Sequence, residues 1–149
     1  CLFFIRTRHR AYVPTLIFIS LGSALSVAAL KVYFAVARPE SPIALMTLDS
    51  FSFPSGHSAA AVTLYGFMLY LAVGVGHLSV LRKFAALLLA LLIILIGVSR
   101  LYLGVHYPSD VIGGYFVGFL WLAIGMWLTR HLRGSVEETK REKTTRASR

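Results

Sequence analysis

The chain has 149 residues, of which 57% are apolar and only 14% are charged. Soluble globular proteins carry about 25% charged residues, so this composition favours a membrane protein over a soluble one. The formal net charge of +9 lies in clusters between and beyond the apolar runs. This is the pattern of membrane orientation signals, and it argues against nucleic-acid binding. The single cysteine excludes an internal disulfide framework.

The N-terminal residues Cys1 to Ile5 are mostly apolar. A first residue other than methionine indicates a fragment or a processed product. These residues resemble the end of a transmembrane helix more than a lipid-modified terminus. We therefore expect a chain that is truncated at its N-terminus.

The first long apolar run extends from Tyr12 to Ala37 and is interrupted only by Lys31. About 20 helical residues span the hydrocarbon core, so this run predicts a transmembrane helix with some tilt. Pro39 predicts its end, because the residue before a proline is displaced from the helical region. Lys31 and Arg38 would share a helix face, where two cations suit a phosphate group. Taken alone, a snorkelling lysine and an interfacial arginine are the more common interpretation.

A loop that contains Pro, Ser, Thr and Asp, which indicate irregular structure, runs from Glu40 to Phe53 and leads into Pro54-Ser55-Gly56-His57. A second apolar run follows directly and predicts a span over roughly residues 57–75. Gly56 allows backbone N–H groups to converge, and helix N-termini favour anions. His57 could be a simple residue of the helix cap. Its position after a Pro-Ser-Gly turn favours a side chain that faces a phosphate.

The third apolar run, residues 84–99, predicts a span that continues through Leu103 to Gly104. The stretch Ser99–Asp110 then holds an arginine, a histidine and an aspartate, and ionisable groups at the depth or edge of a membrane indicate function. Pro108 suits the first turn of a helix. If that helix starts near His106, Asp110 lies on the same face and can bind one ring nitrogen while the other faces a substrate. A buried histidine capped by a nearby carboxylate is an equally good interpretation of these residues alone.

Val111 to Thr129 form the fourth apolar run and predict the last span. Four glycines lie in it, and small residues permit close packing of helices in lipid. Residues 134–149 are polar and basic, which predicts a disordered or loosely helical tail after a transmembrane domain over residues 1–133. The sequence shows no metal-ligand spacing, so we expect no metal and no other cofactor.

The basic clusters provide a second prediction of topology. They are Arg6–Arg10, Arg82–Lys83 and Arg130–Arg133, and they fall on one side of the membrane if four spans alternate. By the positive-inside rule that side is cytoplasmic. The opposite ends of the spans then carry four of the candidate residues, namely Arg38, His57, Arg100 and His106.

Three pieces of sequence therefore occur in order along residues 31–110. They read Lys31-x6-Arg38-Pro39, Pro54-Ser55-Gly56-His57 and Ser99-Arg100-x5-His106-x3-Asp110. Together they resemble the type 2 phosphatidic acid phosphatase (PAP2) family, whose site is similar to that of the vanadium haloperoxidases. The resemblance implies an all-α, polytopic membrane helical bundle. This chain has four complete transmembrane helices, whereas membrane members of the family usually have six.

The resemblance also implies a role for each matching residue. His106 would be the nucleophile that forms a phosphohistidine, Asp110 would orient its ring, and His57 would protonate the leaving oxygen. The phosphate would be bound by Lys31, Arg38, Ser55, Gly56 and Arg100. No metal is implied.

The implied function is that of an integral-membrane phosphatase acting on a lipid phosphate or diphosphate. An outward-facing site in a short chain of bacterial type favours undecaprenyl diphosphate, while phosphatidylglycerophosphate and phosphatidic acid fit the same motifs. The enzyme would lie in a bacterial cytoplasmic membrane with its site on the extracytoplasmic face, and its partners would be lipids.

Two alternatives come from other classes. A non-catalytic, lipid-binding helical unit is disfavoured because both histidines and all three cations are present. A vanadate-dependent oxidase on the same site is disfavoured by the four spans, because those relatives are soluble.

Overall fold

The structure, a computed structural model, describes residues 12–40, 50–73 and 79–147, with side chains up to residue 131. Within these ranges the regular structure consists of four helices: α1 (Tyr12–Phe34), α2 (Gly56–Val73), α3 (Val80–Tyr102) and α4 (Pro108–Ala147). All four are long and apolar enough to cross a membrane, α4 over residues 108–131. The predicted all-α bundle with four transmembrane helices is confirmed. The expected helix remnant at residues 1–5 and the basic cluster Arg6–Arg10 lie outside the described residues, as does the side chain of Arg133.

α2 and α4 form the central pair of the bundle, and α1 packs along both of them. α3 packs mainly on α2, touches α4 only slightly and has no contact with α1 within the described helices. Gly97 is the buried residue of α3; it lies against Tyr115, whose hydroxyl donates to the carbonyl of Ile93 at 3.0 Å. Most of the leucine-rich surface of α3 is therefore exposed, as suits a helix that faces lipid.

Two glycines on α4 set its distance from α2. A Cβ atom at Gly114 would collide with the carbonyl oxygen of Ser55. A Cβ atom at Gly118 would lie 2.7 Å from both the carbonyl oxygen of Ala59 and the Cβ of Val62. Any side chain at these positions would push the helices apart, so the predicted close packing through small residues is confirmed here.

The buried apolar core joins three helices. It consists of Tyr12 and Ile19 from α1, Val62 and Phe67 from α2, and Leu122 from α4. Two polar pairs cross the same region: the Thr63 hydroxyl donates to Ser23 at 3.2 Å, and the indole of Trp121 donates to Ser26 at 3.0 Å. Such interhelical hydrogen bonds contribute only about 0.6 kcal/mol each on average, so close packing dominates the association of the helices.

α1 ends at Phe34, before the predicted end at Ala37. The amide of Ala35 still bonds to the carbonyl of Lys31 at 3.0 Å, but Ala35 has a positive φ of 46° that turns the chain out of the helix. Arg38 thus lies beyond the helix, and the prediction that Lys31 and Arg38 share a helix face is wrong. Alanine rarely adopts this left-handed conformation, so local sequence gives no signal for it.

Other helix boundaries also differ from the sequence pattern. α3 begins at Val80, ahead of the predicted residue 84, because Ser79 caps it and accepts from the amide of Arg82 at 3.4 Å. α4 begins at Pro108, the residue that the sequence suits to a first turn, but it continues to Ala147, through the segment expected to be a disordered or loosely helical tail. That segment is rich in Glu, Lys and Arg, which favour helix, and it contains no proline.

The substitution Gly114→Ala tests the close contact between α2 and α4. We expect it to lower the free energy of unfolding by about 1–3 kcal/mol, because the added methyl group overpacks against the backbone of α2. Thermal unfolding of the purified chain in detergent measures the change. Ala123→Val adds atoms at an exposed position of the same helix and should cost less than about 0.5 kcal/mol. Equal losses in the two variants would contradict the close contact.

Candidate active site

A cleft of about 390 Å³ opens where the ends of α1 and α3 meet the starts of α2 and α4. Six of the eight predicted site residues line it: Lys31, Arg38, Gly56, His57, Arg100 and His106. The lining also includes Ser50, Ala60 and Val105. The three separate pieces of sequence therefore meet at one end of the bundle, as the topology derived from the basic clusters predicts.

Asp110 is placed by the first turn of α4 and is buried beside the cleft. Its Oδ2 accepts from the amide of Tyr107, the residue before the helix, at 2.8 Å, which is half of a capping box. The same oxygen lies 3.2 Å from Nδ1 of His106. Oδ1 is buried and has no hydrogen-bond partner among the described residues. One carboxylate oxygen therefore both caps the helix and orients the histidine.

The imidazole of His106 is buried, with 6% of the residue exposed. Burial lowers the pKa of His106 below its ordinary value, and this effect outweighs the hydrogen bond to Asp110, which raises the pKa. The nearby cations Arg38 and Lys31 lower it further. The ring is therefore neutral at pH 7. With the Nδ1 proton directed to Asp110, the unprotonated nitrogen is Nε2.

A short segment, Ser50–Phe53, lies against the end of α1 and binds Lys31. The amide of Ser52 donates to the carbonyl of Val36 at 2.8 Å and ties the segment to the chain that leaves α1. The ammonium group of Lys31 donates to the carbonyl oxygen of Phe51 and to that of Ser52, the latter at 3.4 Å. Lys31 is thus directed by backbone oxygens that carry no net charge.

The guanidinium group of Arg38 makes three directed hydrogen bonds. Its Nε donates to the carbonyl of Ser50 at 2.8 Å, and Nη2 donates to the hydroxyl of Ser50 at 2.9 Å. Nη1 donates to the carbonyl of Val105 at 2.9 Å. These contacts fix the plane of the group, and because the partners are neutral they leave its positive charge for an anion.

The first turn of α2 also faces the cleft, through Gly56, His57 and Ala60. A helix N-terminus carries amides without intrahelical partners and the positive end of the helix dipole, which favour an anion. The side chain of His57 is exposed to the cleft. It therefore reaches a bound group more freely than the buried His106.

Ser55 is not among the residues that line the cleft. Its side chain is fully buried and its hydroxyl accepts from the hydroxyl of Ser58 at 3.0 Å and, more weakly, from the Ser58 amide at 3.4 Å. Its amide donates to the carbonyl of Asp110 at 2.9 Å. Ser55 thus caps α2 and fixes the start of α2 to the start of α4.

Arg100 lies in the last turn of α3, and a Schellman turn connects it to His106. Gly104 has a φ of 63°, which suits glycine, and its amide bonds to the carbonyl of Leu101 at 2.9 Å. The amide of Val105 bonds to the carbonyl of Arg100 at 3.3 Å. This turn brings Arg100 and His106 to the same cleft.

Two serines that the sequence analysis does not single out contact the predicted residues. Ser50 binds Arg38, as described above. Ser52 is fully buried; its hydroxyl donates to Oδ2 of Asp110 at 2.5 Å and lies 3.3 Å from Nδ1 of His106. Both serines belong to the loop that precedes Pro54. The one sequence feature that could have pointed to them is their alternation with Phe51 and Phe53.

Residues 12–133 match the family model described as the PAP2 superfamily. The chain belongs to the PAP2 superfamily. This confirms the family that the three motifs resemble. A PAP2 membership also agrees with the meeting of those motifs in one cleft.

A solved PAP2 structure has the same fold. It is the crystal structure of a transmembrane PAP2-type phosphatidylglycerolphosphate phosphatase from Bacillus subtilis, which superposes with a TM-score of 0.73 at 31% sequence identity. The match covers 87% of this chain and 63% of that chain. Together with the four apolar helices, it identifies this PAP2 chain as an integral membrane protein.

Curated PAP2 relatives match over shorter stretches. Phosphatidylglycerophosphatase B of Bacillus subtilis (strain 168) is 40% identical over 93 residues, which is 61% of this chain and 45% of the relative. Lipid phosphate phosphatase delta of Arabidopsis thaliana is 37% identical over 81 residues, or 53% and 19% of the two chains. A dihydrosphingosine 1-phosphate phosphatase of Schizosaccharomyces pombe is 35% identical over 106 residues, or 66% and 26%. The matched part is less than half the length of each of these relatives.

The substitution Arg38→Lys tests the fixed guanidinium group of this PAP2 site. A lysine keeps the charge but cannot make three directed bonds, so we expect orthovanadate, a phosphate analogue, to bind about tenfold more weakly. Vanadium NMR titration of the purified chain in detergent measures the dissociation constant. Arg82→Lys, at the opposite end of α3, is the matched control and should leave binding unchanged. Unchanged vanadate binding in Arg38→Lys would show that the fixed, planar guanidinium group of Arg38 is not needed to bind the anion.

Proposed function

We propose that this chain forms the active site of a membrane phosphatase that hydrolyses a lipid phosphate or diphosphate through a phosphohistidine intermediate. The observation that carries the proposal is a histidine backed by a carboxylate in a cleft that also contains three cationic side chains. Phosphoryl transfer needs cations around the phosphoryl oxygens, a nucleophile in line and an acid for the leaving group. The three relatives are named as phosphatases of phosphorylated lipids, which supports the same substrate class.

The phosphate group is bound by Lys31, Arg38 and Arg100 together with the N-terminus of α2. A phosphomonoester carries about −1.5 to −2 charges at neutral pH, which these cations can balance. A Cβ atom at Gly56 would meet only the side chain of Val27, at 3.6 Å. Packing therefore does not require glycine at this position, and its role in the proposal is to let a phosphate oxygen approach the backbone amide. Ser55 contributes by capping this helix start rather than through its buried hydroxyl.

His106 is the nucleophile in the proposed reaction. Its Nε2 lone pair attacks phosphorus, a bond forms between Nε2 and phosphorus, and the bond between phosphorus and the leaving oxygen breaks. The ring then carries a positive charge, which the Asp110 carboxylate stabilises through Nδ1. Water next attacks phosphorus, breaks the bond to Nε2 and releases inorganic phosphate.

His57 serves as the acid and then as the base. It donates a proton to the leaving oxygen in the first step and accepts a proton from the attacking water in the second. Its exposed position at the first turn of α2, in the same cleft as His106, supports this assignment. The positive charge that a metal ion would supply comes from the three cationic side chains, so the proposed reaction uses no metal.

The substrate that the comparisons favour is phosphatidylglycerophosphate, because that is the substrate class named for the relatives from Bacillus subtilis. Undecaprenyl diphosphate is the second candidate, favoured by an outward-facing site. The exposed Arg82 and Lys83 start α3 and Arg130 lies far along α4, at the helix ends opposite the cleft. By the positive-inside rule this arrangement supports an orientation with the cleft on the extracytoplasmic face of a bacterial cytoplasmic membrane.

The substitution His106→Ala tests the proposed nucleophile. With EDTA present, the intact chain should still release phosphate from phosphatidylglycerophosphate, whereas His106→Ala should fall to background. Lipid phosphate binding by the remaining cations should stay measurable in the variant, and orthovanadate should bind it poorly. The intact chain should trap acid-labile phosphate on His106 during turnover, and Asp110→Asn should lose roughly 10²-fold or more in rate. His131→Ala, far along α4, is the control and should retain activity. Phosphate release that His106→Ala leaves unchanged would overturn the mechanism. Phosphate release found only with diphosphate lipids would overturn the preferred substrate.

The substitution His57→Ala tests the proposed acid. General-acid assistance matters most for a poor leaving group, so the rate on an alkyl phosphate should fall about 10²-fold or more and the rate on a nitrophenyl phosphate far less. Steady-state kinetics on the two substrates measure the ratio. Equal losses on both would remove His57 from the acid role.

A further inference from the structure

Ser52 stands outside the recognised motifs, yet it contacts both members of the His106–Asp110 pair. We propose that Ser52 is a positioning residue that holds His106 in the tautomer with Nδ1 protonated and Nε2 free to attack. The inference deepens the proposed phosphohistidine mechanism and rests on it. Ser52 is fully buried and is not among the residues that line the cleft, so it acts through the imidazole and the carboxylate.

The hydrogen bonds around Asp110 support this role. Oδ2 accepts from the Ser52 hydroxyl at 2.5 Å, from the Tyr107 amide at 2.8 Å and from Nδ1 of His106 at 3.2 Å. Because the Ser52 proton is directed to Oδ2, the lone pairs of the Ser52 oxygen remain for the Nδ1–H group, 3.3 Å away. The histidine proton is thus shared between two oxygens, and both contacts favour protonation of Nδ1.

Ser52 can direct the ring because its own backbone is fixed by contacts with the end of α1 and the chain that follows it. Its amide bonds to the carbonyl of Val36 at 2.8 Å, and its carbonyl accepts from Lys31 at 3.4 Å. The side chain is fully buried, so its hydroxyl is shielded from bulk water. One residue therefore joins the phosphate-binding Lys31 to the nucleophile.

The charged and titratable groups that face His106 come from all four helices or their ends. They are Lys31 and Arg38 at the end of α1, His57 on α2, Arg100 on α3 and Asp110 on α4. Of these, Asp110 is the group that attracts the imidazole proton. The Ser52 hydroxyl satisfies part of the hydrogen-bonding capacity of Oδ2, so its removal strengthens the attraction between Asp110 and a protonated ring. The pKa of His106 then rises, and a larger fraction of the ring is unable to attack near neutral pH.

The test compares Ser52→Ala with Ser23→Ala in the purified full chain. Ser23 is a buried serine in α1 that accepts from Thr63 at 3.2 Å, away from the cleft, so it matches the loss of one buried hydroxyl. Phosphate release from phosphatidylglycerophosphate is measured as kcat and KM across pH. For the intact chain we expect kcat/KM to fall on the acid side of the profile, its acid limb, only below about pH 6.5, because burial lowers the pKa of the His106 imidazole.

Ser52→Ala should move the acid limb to higher pH by about half a unit or more, because the Asp110 carboxylate loses a hydrogen bond. It should also lower kcat about tenfold, because the imidazole is no longer held in the tautomer with Nε2 free to attack. KM should change less than about threefold, because the phosphate-binding cations remain. Ser52→Cys has similar volume but a weaker donor, so it should give an intermediate shift and keeps the test valid if the alanine variant does not fold. Ser23→Ala should leave kcat, KM and the acid limb unchanged.

Nitrogen NMR of the histidine-labelled chain gives a readout that does not need turnover. We expect the intact chain to show His106 with Nδ1 protonated and Nε2 unprotonated, and Ser52→Ala to titrate at higher pH. An unchanged titration in both Ser52 variants, a loss confined to KM, or an equal loss in Ser23→Ala would overturn the positioning role. A chain that releases no phosphate from any lipid phosphate would overturn the proposed function instead, while the NMR titration would still decide what Ser52 does.

Discussion

The carbonyl oxygens of the segment that precedes Pro54 bind the two cations at the end of α1, and the site depends on this contact. Removing an ion from water costs several kcal/mol unless it finds partners, and a carboxylate partner would cancel the charge that would bind a phosphate in the proposed function. Backbone carbonyls resolve this conflict, because they satisfy the donors of Lys31 and Arg38 without neutralising them. In the proposed mechanism the same positive charge stabilises the transferring phosphoryl group.

The central helix pair sets the distance between the two histidines. α2 and α4 approach closely because Gly114 and Gly118 leave room for the backbone of α2, and the Ser55 amide bonds to the Asp110 carbonyl at 2.9 Å. The starts of the two helices are therefore fixed to each other by backbone contacts. The spacing of His57 and His106 is fixed in turn, as the proposed mechanism requires of an acid and a nucleophile that act on one phosphoryl group.

The sequence predicts most of this arrangement because its signals are local: apolar runs give the helices, and charged residues beside prolines and glycines mark their ends. The end of α1 is different. Ala35 adopts a left-handed conformation that its own sequence does not favour, so the correct position of Arg38 follows from its tertiary bonds to Ser50 and Val105. Ser52 is missed for the same reason, since a serine in a polar loop gives no sign of a partner almost sixty residues away.

α3 shows that a helix can supply a site residue while most of its surface stays exposed. It barely touches α4, yet Arg100 at its end and His106 beyond it line the same cleft. The geometry comes from the Schellman turn at Gly104, whose two backbone bonds fix the path from one residue to the other. Because five residues separate Arg100 from His106, this local turn determines their separation, and the exposed surface of α3 is left free to match the lipid around it. The spacing within this motif is therefore a property of a turn, whereas the distance from His57 to His106 is a property of helix packing.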